Sequence, residues 1–260
     1  MQIKTFIATW FLKTLSKMTT DFIIPIFKNI PNISMLQTTR TGGISLNNYH
    51  SMNLSMDVND NPDHVSQNIN SLERFCPKIQ WINQVHGSNV IELPCTNISS
   101  ADAVFTKKIR TVCAIRTADC LPILLTNENG NFVAAIHAGW RGLGLGVIEN
   151  TIRSINSDSE IFAWLGPSIG VEKFVVGHDV YNFFEKNDPD VLDSFIKYQD
   201  KYKLCLPTVA KKKLINIGVK KIFGSTIDDD FCTYNDKKRF FSYRRDKITG
   251  RMASLIWINN

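Results

Sequence analysis

The chain has 260 residues, of which 43% are hydrophobic and 21% charged, a composition typical of globular proteins and unlike that of disordered or fibrous ones. The formal net charge is +6. Basic residues cluster in separate segments without interleaved aromatic residues. This pattern indicates that they lie on a solvated surface or attract a small anionic substrate, and it disfavours binding of nucleic acid. These basic segments are residues 211–213, 220–221 and 237–239.

Two features of the sequence indicate a cytoplasmic protein with one domain. The six cysteines are widely and irregularly spaced, which predicts reduced thiols. Residues 1–21 are predicted to be an N-terminal extension, with Met18 as the true translation start. The apolar residues of this N-terminal extension are interrupted by polar ones, and they are too few to span a membrane. Residues 22–260 are predicted to form a single catalytic domain, and the oligomeric state stays open.

The predicted elements mix helices and strands. Asn61 and Pro62 indicate the start of a helix over residues 62–75. Three apolar runs at 111–115, 122–125 and 132–136 predict strands of one sheet, with a turn at 127–130. A helix follows over 147–155. Further strands are predicted at 161–165, 221–223, 240–243 and 255–258, and a further helix at 207–217. This order lacks strict alternation, so it predicts a mixed α/β (α+β) fold in layers, with helices flanking the sheets.

Three segments offer metal ligands near predicted strand ends: Gln84-Val85-His86-Gly87, Ala118-Asp119-Cys120-Leu121 and Ile136-His137-Ala138-Gly139. Two imidazoles and one thiolate suit zinc, and three protein ligands leave a fourth position open for catalysis. Each residue taken alone is also compatible with an ordinary structural role, since buried cysteines often act as small hydrophobic residues.

Several motifs occur in an order that resembles the laccase-domain, or "multicopper polyphenol oxidase", family. They begin with Thr38-Thr39-Arg40-Thr41-Gly42-Gly43, and the similarity covers roughly residues 22–258. The resemblance implies that His86, Cys120 and His137 bind the metal and carry the catalysis, with zinc as the ion and copper as a substitute. The other motifs are the three segments above, Arg116–Pro122, His137–Gly142, Gly166–Gly170, Cys232-Thr233, Ser242–Asp246 and Thr249–Arg251.

Members of this family are described as polyphenol oxidases, and also as purine nucleoside phosphorylases with adenosine deaminase activity. A multicopper oxidase needs many more histidines than the five in this chain, which disfavours oxidase chemistry. The favoured function is therefore a zinc-dependent purine nucleoside phosphorylase for adenosine, inosine and methylthioadenosine, with possible adenosine deaminase activity. Its partners would be a nucleoside and phosphate rather than a nucleic acid or a membrane.

Arginines and polar side chains within the motifs are the candidate substrate-binding residues. Arg40 and Arg141 are predicted to bind phosphate, with Arg116, Arg244 and Arg251 in reserve. Gln84 and Asn53 are predicted to face the pocket, whereas Asp119 is expected to bond backbone in a turn. The chain departs from the family at Val175, where Glu is usual, and at Cys205, where Asp is common.

Two other functions fit the same residues. In the first, Cys120 is a nucleophile and His137 its base, in a hydrolase that edits a cell-wall precursor. In the second, the zinc is structural and the chain is a binding module. That reading needs a fourth ligand, for which His50, His64, Cys113 and Cys232 are the candidates.

Overall fold

The computed structural model describes residues 22–27, 30–97, 100–225 and 231–259, so the predicted N-terminal extension lies outside the described residues. None of the helices in these ranges has the length and hydrophobicity needed to span a membrane. As predicted, all six cysteines are free thiols.

Thirteen strands and six α-helices are found in the described ranges. The strands are β1 (Phe22–Ile23), β2 (Ile33–Thr38), β3 (Val90–Glu92), β4 (Ala103–Thr106), β5 (Cys113–Thr117), β6 (Leu121–Asn127), β7 (Val133–Ala138), β8 (Ile161–Leu165), β9 (Val175–Val176), β10 (Phe195–Tyr198), β11 (Lys201–Leu204), β12 (Lys221–Gly224) and β13 (Met252–Ile258). The helices are α1 (Pro62–Leu72), α2 (Trp140–Gly144), α3 (Val147–Ile155), α4 (His178–Asn187), α5 (Leu206–Asn216) and α6 (Tyr243–Asp246). The mixed α/β prediction is confirmed.

The strands form three sheets. The six-stranded sheet has the order β12-β8-β6-β7-β4-β3 and is mixed, because β12 and β8 pair in parallel, as do β3 and β4, whereas the other pairs are antiparallel. The four-stranded sheet has the order β1-β2-β13-β5 and is antiparallel. A small antiparallel sheet has the order β10-β11-β9.

The two large sheets face each other across a hydrophobic core. Along β6, Leu124 belongs to this core, while its neighbours Ile123 and Leu125 pack against α3, α4 and α5 on the opposite face. This alternation is the period of two that a strand imposes on its side chains. Helix α1 covers the outer face of the four-stranded sheet through Leu72. The result is a layered arrangement of helices, sheet, sheet and helix.

The first helix begins as its sequence predicts. The Asn61 side chain accepts a hydrogen bond from the backbone N–H of Asp63 at 2.9 Å, and Pro62 occupies the first turn, where its missing N–H costs nothing. The helix ends at Leu72, three residues before the predicted end.

One sheet assignment and one strand prediction are wrong. The run at 111–115 contributes to β5, which pairs with β13 in the four-stranded sheet rather than with β6. The reason is the sharp turn after β5, where Asp119 adopts a left-handed φ of 95° and sends the chain into the other sheet. The predicted strand at 240–243 is absent: residues 240–242 are buried and irregular, and Tyr243 begins helix α6, because Ser242 caps this helix by accepting a hydrogen bond from Arg245 N at 3.2 Å.

Candidate metal centre

The β6–β7 hairpin brings two of the three predicted metal ligands together. Leu121 pairs with Ala138 in its antiparallel register, so Cys120, immediately before β6, lies beside His137 near the end of β7. His86 comes from the loop between α1 and β3 and not from a strand end, which corrects the prediction for this residue. The ligand atoms of the three residues all lie within 4.8 Å of one another.

Gly139 leaves room for this cluster. A Cβ atom at this position would lie 3.1 Å from Cys120 Sγ and 3.2 Å from His86 Cδ2. Such contacts are tight enough to push a ligand aside, so the small residue keeps the space between the ligands open.

A buried carboxylate, Asp102, orients the two histidines. His137 Nδ1 lies 2.7 Å from Asp102 Oδ1, so the proton is assigned to Nδ1 and Nε2 is left to bind a metal. The same carboxylate accepts hydrogen bonds from the backbone N–H groups of Val85, His86 and Gly87 at 3.2, 2.9 and 2.6 Å. Sequence reasoning missed this residue.

The metal-free cluster carries separated charges. Burial raises the pKa of the Cys120 thiol, but the charge and hydrogen bond of His137, with those of His86, lower it overall to about 6. Burial lowers the pKa of His137, but the charge of Cys120 and the hydrogen bond that His137 donates to Asp102 raise it to about 9. These shifts favour a thiolate and an imidazolium for the metal-free pair near neutral pH.

The donor set fits a divalent zinc ion. Two imidazoles and a thiolate within reach of one ion, with a carboxylate behind one histidine, form the pattern of a zinc site with three protein ligands. Within the described ranges this is the one group of three or more candidate ligands, and none of His50, His64, Cys113 and Cys232 belongs to it. Among the described residues, the further ligands of a closed structural site or of a multicopper cluster are not found beside this group.

The centre opens into a cavity of about 710 Å³, within the usual size of small-molecule sites. Its wall combines apolar and aromatic residues with five cationic side chains. The lining includes Ser55, Asp57, Gln84, Arg116, Asp119, Trp140, Arg141, Ile169, Phe174, Leu206, Tyr243, Arg244, Lys247 and Arg251 beside the three metal ligands.

The two carboxylates in the cavity already have partners. Asp57 pairs with Arg116 at 3.3 Å. Asp119 accepts hydrogen bonds from Thr233 Oγ1 and from the backbone N–H of Arg244, both at 2.6 Å, so it bonds a backbone group as expected, but one that lies far along the chain rather than in its own turn. The cavity therefore presents an excess of positive charge to a ligand.

Two of the cations, Arg141 and Lys247, contact aromatic rings, and their side chains form no hydrogen bond or ion pair with the described residues. The Arg141 guanidinium is 4.4 Å from the centroid of the Trp140 ring, and Lys247 Nζ is 5.6 Å from that of Tyr243. Arg251 is more enclosed. Burial lowers its pKa, and the charges of Cys120 and Asp119 partly offset this effect, which locates the guanidinium within electrostatic range of the centre.

The predicted substrate-binding residues divide into two sets. Arg141, Arg116 and Gln84 line the cavity, and Gln84 is held by hydrogen bonds to the backbone N–H and C=O of Arg116, each 2.8 Å long. Arg40 lies in a separate basic hollow, where its guanidinium donates to the carbonyls of His50 and Lys237. Asn53 is fully buried and fixes the backbone of Arg251 instead of facing the cavity.

The two departures from the family pattern lie in structural positions. Cys205 is the residue before helix α5, and its side chain makes no capping hydrogen bond. Val175 interacts with the cavity wall through its backbone, because its carbonyl accepts a hydrogen bond from Arg244 at 2.9 Å.

This arrangement, a mixed α/β fold with an open metal-ligand triad at the base of a cationic cavity, defines a class of small-molecule enzymes. The profile of the family described as "Multi-copper polyphenol oxidoreductase laccase" matches residues 34–259. The chain is 44% identical over 242 residues to the purine nucleoside phosphorylase YfiH of Escherichia coli, covering 91% of this chain and 98% of that protein. The purine nucleoside phosphorylase of Haemophilus influenzae is also 44% identical, over 243 residues that cover 88% of this chain and 96% of that protein.

A solved structure from Neisseria meningitidis, of 37% sequence identity, superposes with a TM-score of 0.86 and covers 92% of this chain and 100% of its own. The chain thus belongs to the laccase-domain family that includes the curated YfiH phosphorylases, and it is an enzyme of that phosphorylase-like group. The family resemblance predicted from the motifs is confirmed.

Proposed function

We propose that this chain is a zinc-dependent purine nucleoside phosphorylase that acts on adenosine, inosine and methylthioadenosine in the cytoplasm and also deaminates adenosine. The observation that carries the proposal is the open His86, Cys120 and His137 triad at the base of a cavity with unpaired cations and aromatic walls. The names of the relatives agree with this choice. Zinc, when bound, supplies an electrophilic position that is open to the cavity.

Phosphate is the natural counter-ion for the cationic wall. Arg141 and Lys247 have no competing partner among the described side chains, and a guanidinium can bind two phosphate oxygens at once. Arg251 extends the positive charge toward Cys120. These residues would hold the phosphate dianion close to the reacting carbon of the sugar.

The apolar part of the cavity suits a purine base. Trp140, Phe174 and Tyr243 offer aromatic faces, and Ile169 and Leu206 complete the wall. Flat heterocycles bind well against such surfaces because the aromatic rings bury area without losing much rotamer entropy.

In phosphorolysis the glycosidic bond between C1′ and N9 breaks, and a bond between C1′ and a phosphate oxygen forms. The base leaves with the bonding electron pair and takes up a proton. The side chains of the cavity contribute by holding the nucleophile and the nucleoside together and by stabilising the negative charge of the phosphate. Deamination would use the same nucleoside pocket, as in zinc deaminases of other folds.

The direct test is base release from the three nucleosides by zinc-loaded protein, followed by chromatography. We expect release that depends on phosphate and produces ribose 1-phosphate, or its methylthio analogue, in equal amounts. His86→Ala should abolish release, whereas Arg153→Gln, on the exposed side of α3, should leave it unchanged. Release without phosphate dependence, or no release at all, would refute the proposal.

A second candidate function is a Cys–His hydrolase with Cys120 as the nucleophile. The low pKa of Cys120 beside a protonated His137 favours it, because this is the charge state of an activated thiolate pair. Metal analysis distinguishes the two. About one zinc per purified chain, lost in Cys120→Ala, supports the metal centre, whereas a metal-free active protein that forms a covalent Cys120 adduct supports the hydrolase.

A further inference from the structure

Asp102 is a fully buried carboxylate whose two oxygens are shared among four N–H donors. Oδ1 accepts hydrogen bonds from His137 Nδ1 at 2.7 Å and from the backbone N–H of His86 at 2.9 Å. Oδ2 accepts hydrogen bonds from the backbone N–H groups of Val85 at 3.2 Å and of Gly87 at 2.6 Å. One carboxylate therefore contacts segments that carry two different metal ligands.

The sheet places Asp102 beside His137. Ala103 pairs with Ile136 in the antiparallel β4–β7 ladder, so Asp102 lies opposite His137, and the His137 N–H donates to Asp102 O at 2.7 Å. Val104 on β4 and Ala135 on β7 both face the core between the two large sheets. Asp102 and His137 lie two residues from these positions and share their face.

The loop that carries His86 needs this anion. His86 has a φ of 59°, in the left-handed region that is unfavourable for a residue with a Cβ atom. The conformation lets three successive N–H groups converge on Asp102, in the manner of a backbone anion-binding nest. The hydrogen bonds hold the loop in a shape that it would not otherwise prefer.

We propose that Asp102 is a positioning residue that sets both histidine ligands at once, so that zinc affinity and the order of the 85–87 loop depend on this one side chain. The inference rests on the proposed metal centre. Asp102 acts through His137 and the loop and touches no substrate, since it is absent from the cavity lining. Its bond to His137 also fixes the ring tautomer that leaves Nε2 available.

The variant Asp102→Asn tests this role sharply because it preserves the size of the side chain. An amide has one oxygen, whereas each Asp102 oxygen accepts from two N–H groups. Whichever way the Asn side chain turns, its NH₂ group would face N–H donors. In one orientation the NH₂ would also donate to His137 Nδ1 and leave the proton on Nε2, the ligating nitrogen.

The first measurement is amide hydrogen exchange of residues 85–87 in full-length, metal-free protein. We expect exchange at least tenfold faster in Asp102→Asn than in wild type. Asp119→Asn is the matched control, because Asp119 is a buried acid beside Cys120 but binds Thr233 and Arg244 instead of either histidine. It should leave these three amides protected, and slow exchange in α3 of every variant would show that the fold is intact.

The second measurement is zinc affinity by competition with a chromophoric chelator. Loss of a carboxylate behind a ligating histidine lowers metal affinity by roughly 10- to 100-fold, and we expect this loss in Asp102→Asn. Unchanged protection of residues 85–87 overturns the inference whether or not the wild type binds zinc. Unchanged zinc affinity in the variant also overturns it, whereas a wild type that binds no zinc refutes the metal centre itself.

Discussion

The charge state of Cys120 can be measured by alkylation of the metal-free protein across a pH series. With a pKa of about 6, about 90% of this thiol is ionised at pH 7, compared with about 1% for a thiol at the ordinary value of 9.0. The reaction rate with iodoacetamide should therefore rise with a midpoint near pH 6 and level off above pH 7. The midpoint is the informative quantity, because the nucleophilicity of a thiolate itself falls as its pKa falls.

The assay is mass spectrometry of peptides after brief exposure to iodoacetamide, with zinc removed by a chelator. Cys76 is an internal control, because burial and the nearby Glu73 raise its pKa to about 12, so it should stay unmodified over the same range. His137→Asn removes the neighbouring positive charge and should move the Cys120 midpoint upward. A wild-type rate that still climbs through pH 8 to 9 would refute the proposed ion pair.

Three further variants test the site and the fold. Gly139→Ala should lower zinc affinity at least tenfold, as measured by chelator competition, because the new Cβ would lie 3.1 Å from Cys120 Sγ. Arg141→Gln should raise the KM for phosphate roughly tenfold in steady-state kinetics, since hydrogen bonds to charged groups contribute about 1.5–3 kcal/mol. Lys213→Ala should lower the free energy of unfolding by about 3 kcal/mol, because it leaves the partly buried Asp188 carboxylate without its cation.

The Lys213 prediction also has a pH dependence. Burial lowers the pKa of this amine, but its hydrogen bonds to Asp188 and Glu149 raise it overall above 10.5. A raised pKa in the folded state stabilises the protein fully below the unfolded value and loses this effect as pH rises through the folded value. The difference in unfolding free energy between wild type and variant, measured by urea denaturation, should therefore shrink above about pH 10.5.

Each of these three variants has a control variant of the same residue type. Gly87→Ala should keep its zinc, because the added Cβ makes only an ordinary contact of 3.5 Å with Asp102. Arg153→Gln should not change the KM for phosphate, and Lys211→Ala, on the exposed face of α5, should not change stability. If a test variant and its control variant changed the measured quantity equally, the structural cause given for the test variant would be wrong.

Local patterns in the sequence located most of the elements. Pro62 after Asn61 marked the start of α1, and the strand predicted over 161–165 coincides with β8. These features depend on neighbouring residues and on hydrophobic periodicity, which a sequence displays directly. The sheet to which β5 belongs depends on the positive φ of Asp119. No local sequence pattern predicts a positive φ at a residue other than glycine.

In the candidate site too, some residues could be predicted from local motifs and others could not. The motifs around His86, Cys120 and His137 pointed to three residues that the fold brings together, but Asp102 stands between two alanines and has no local signature of function. Its role follows from the pairing of β4 with β7, which is a long-range property of the fold. Arg40 shows the converse, because this motif arginine, predicted to bind phosphate, lies outside the cavity of the triad, with its guanidinium 4.7 Å from the centroid of the Phe241 ring.

The hairpin that joins Cys120 to His137 makes the metal centre sensitive to events at the opposite end of the same two strands. The register of β6 and β7 is set by their connection, where Gly130 has a φ of 59° and its carbonyl accepts a hydrogen bond from Asn32 at 2.9 Å. A slip of one residue would turn His137 to the helical face of the sheet. An insertion or deletion in this remote turn that shifted the register would therefore disrupt the candidate metal centre, even though every residue that lines the cavity would still be present.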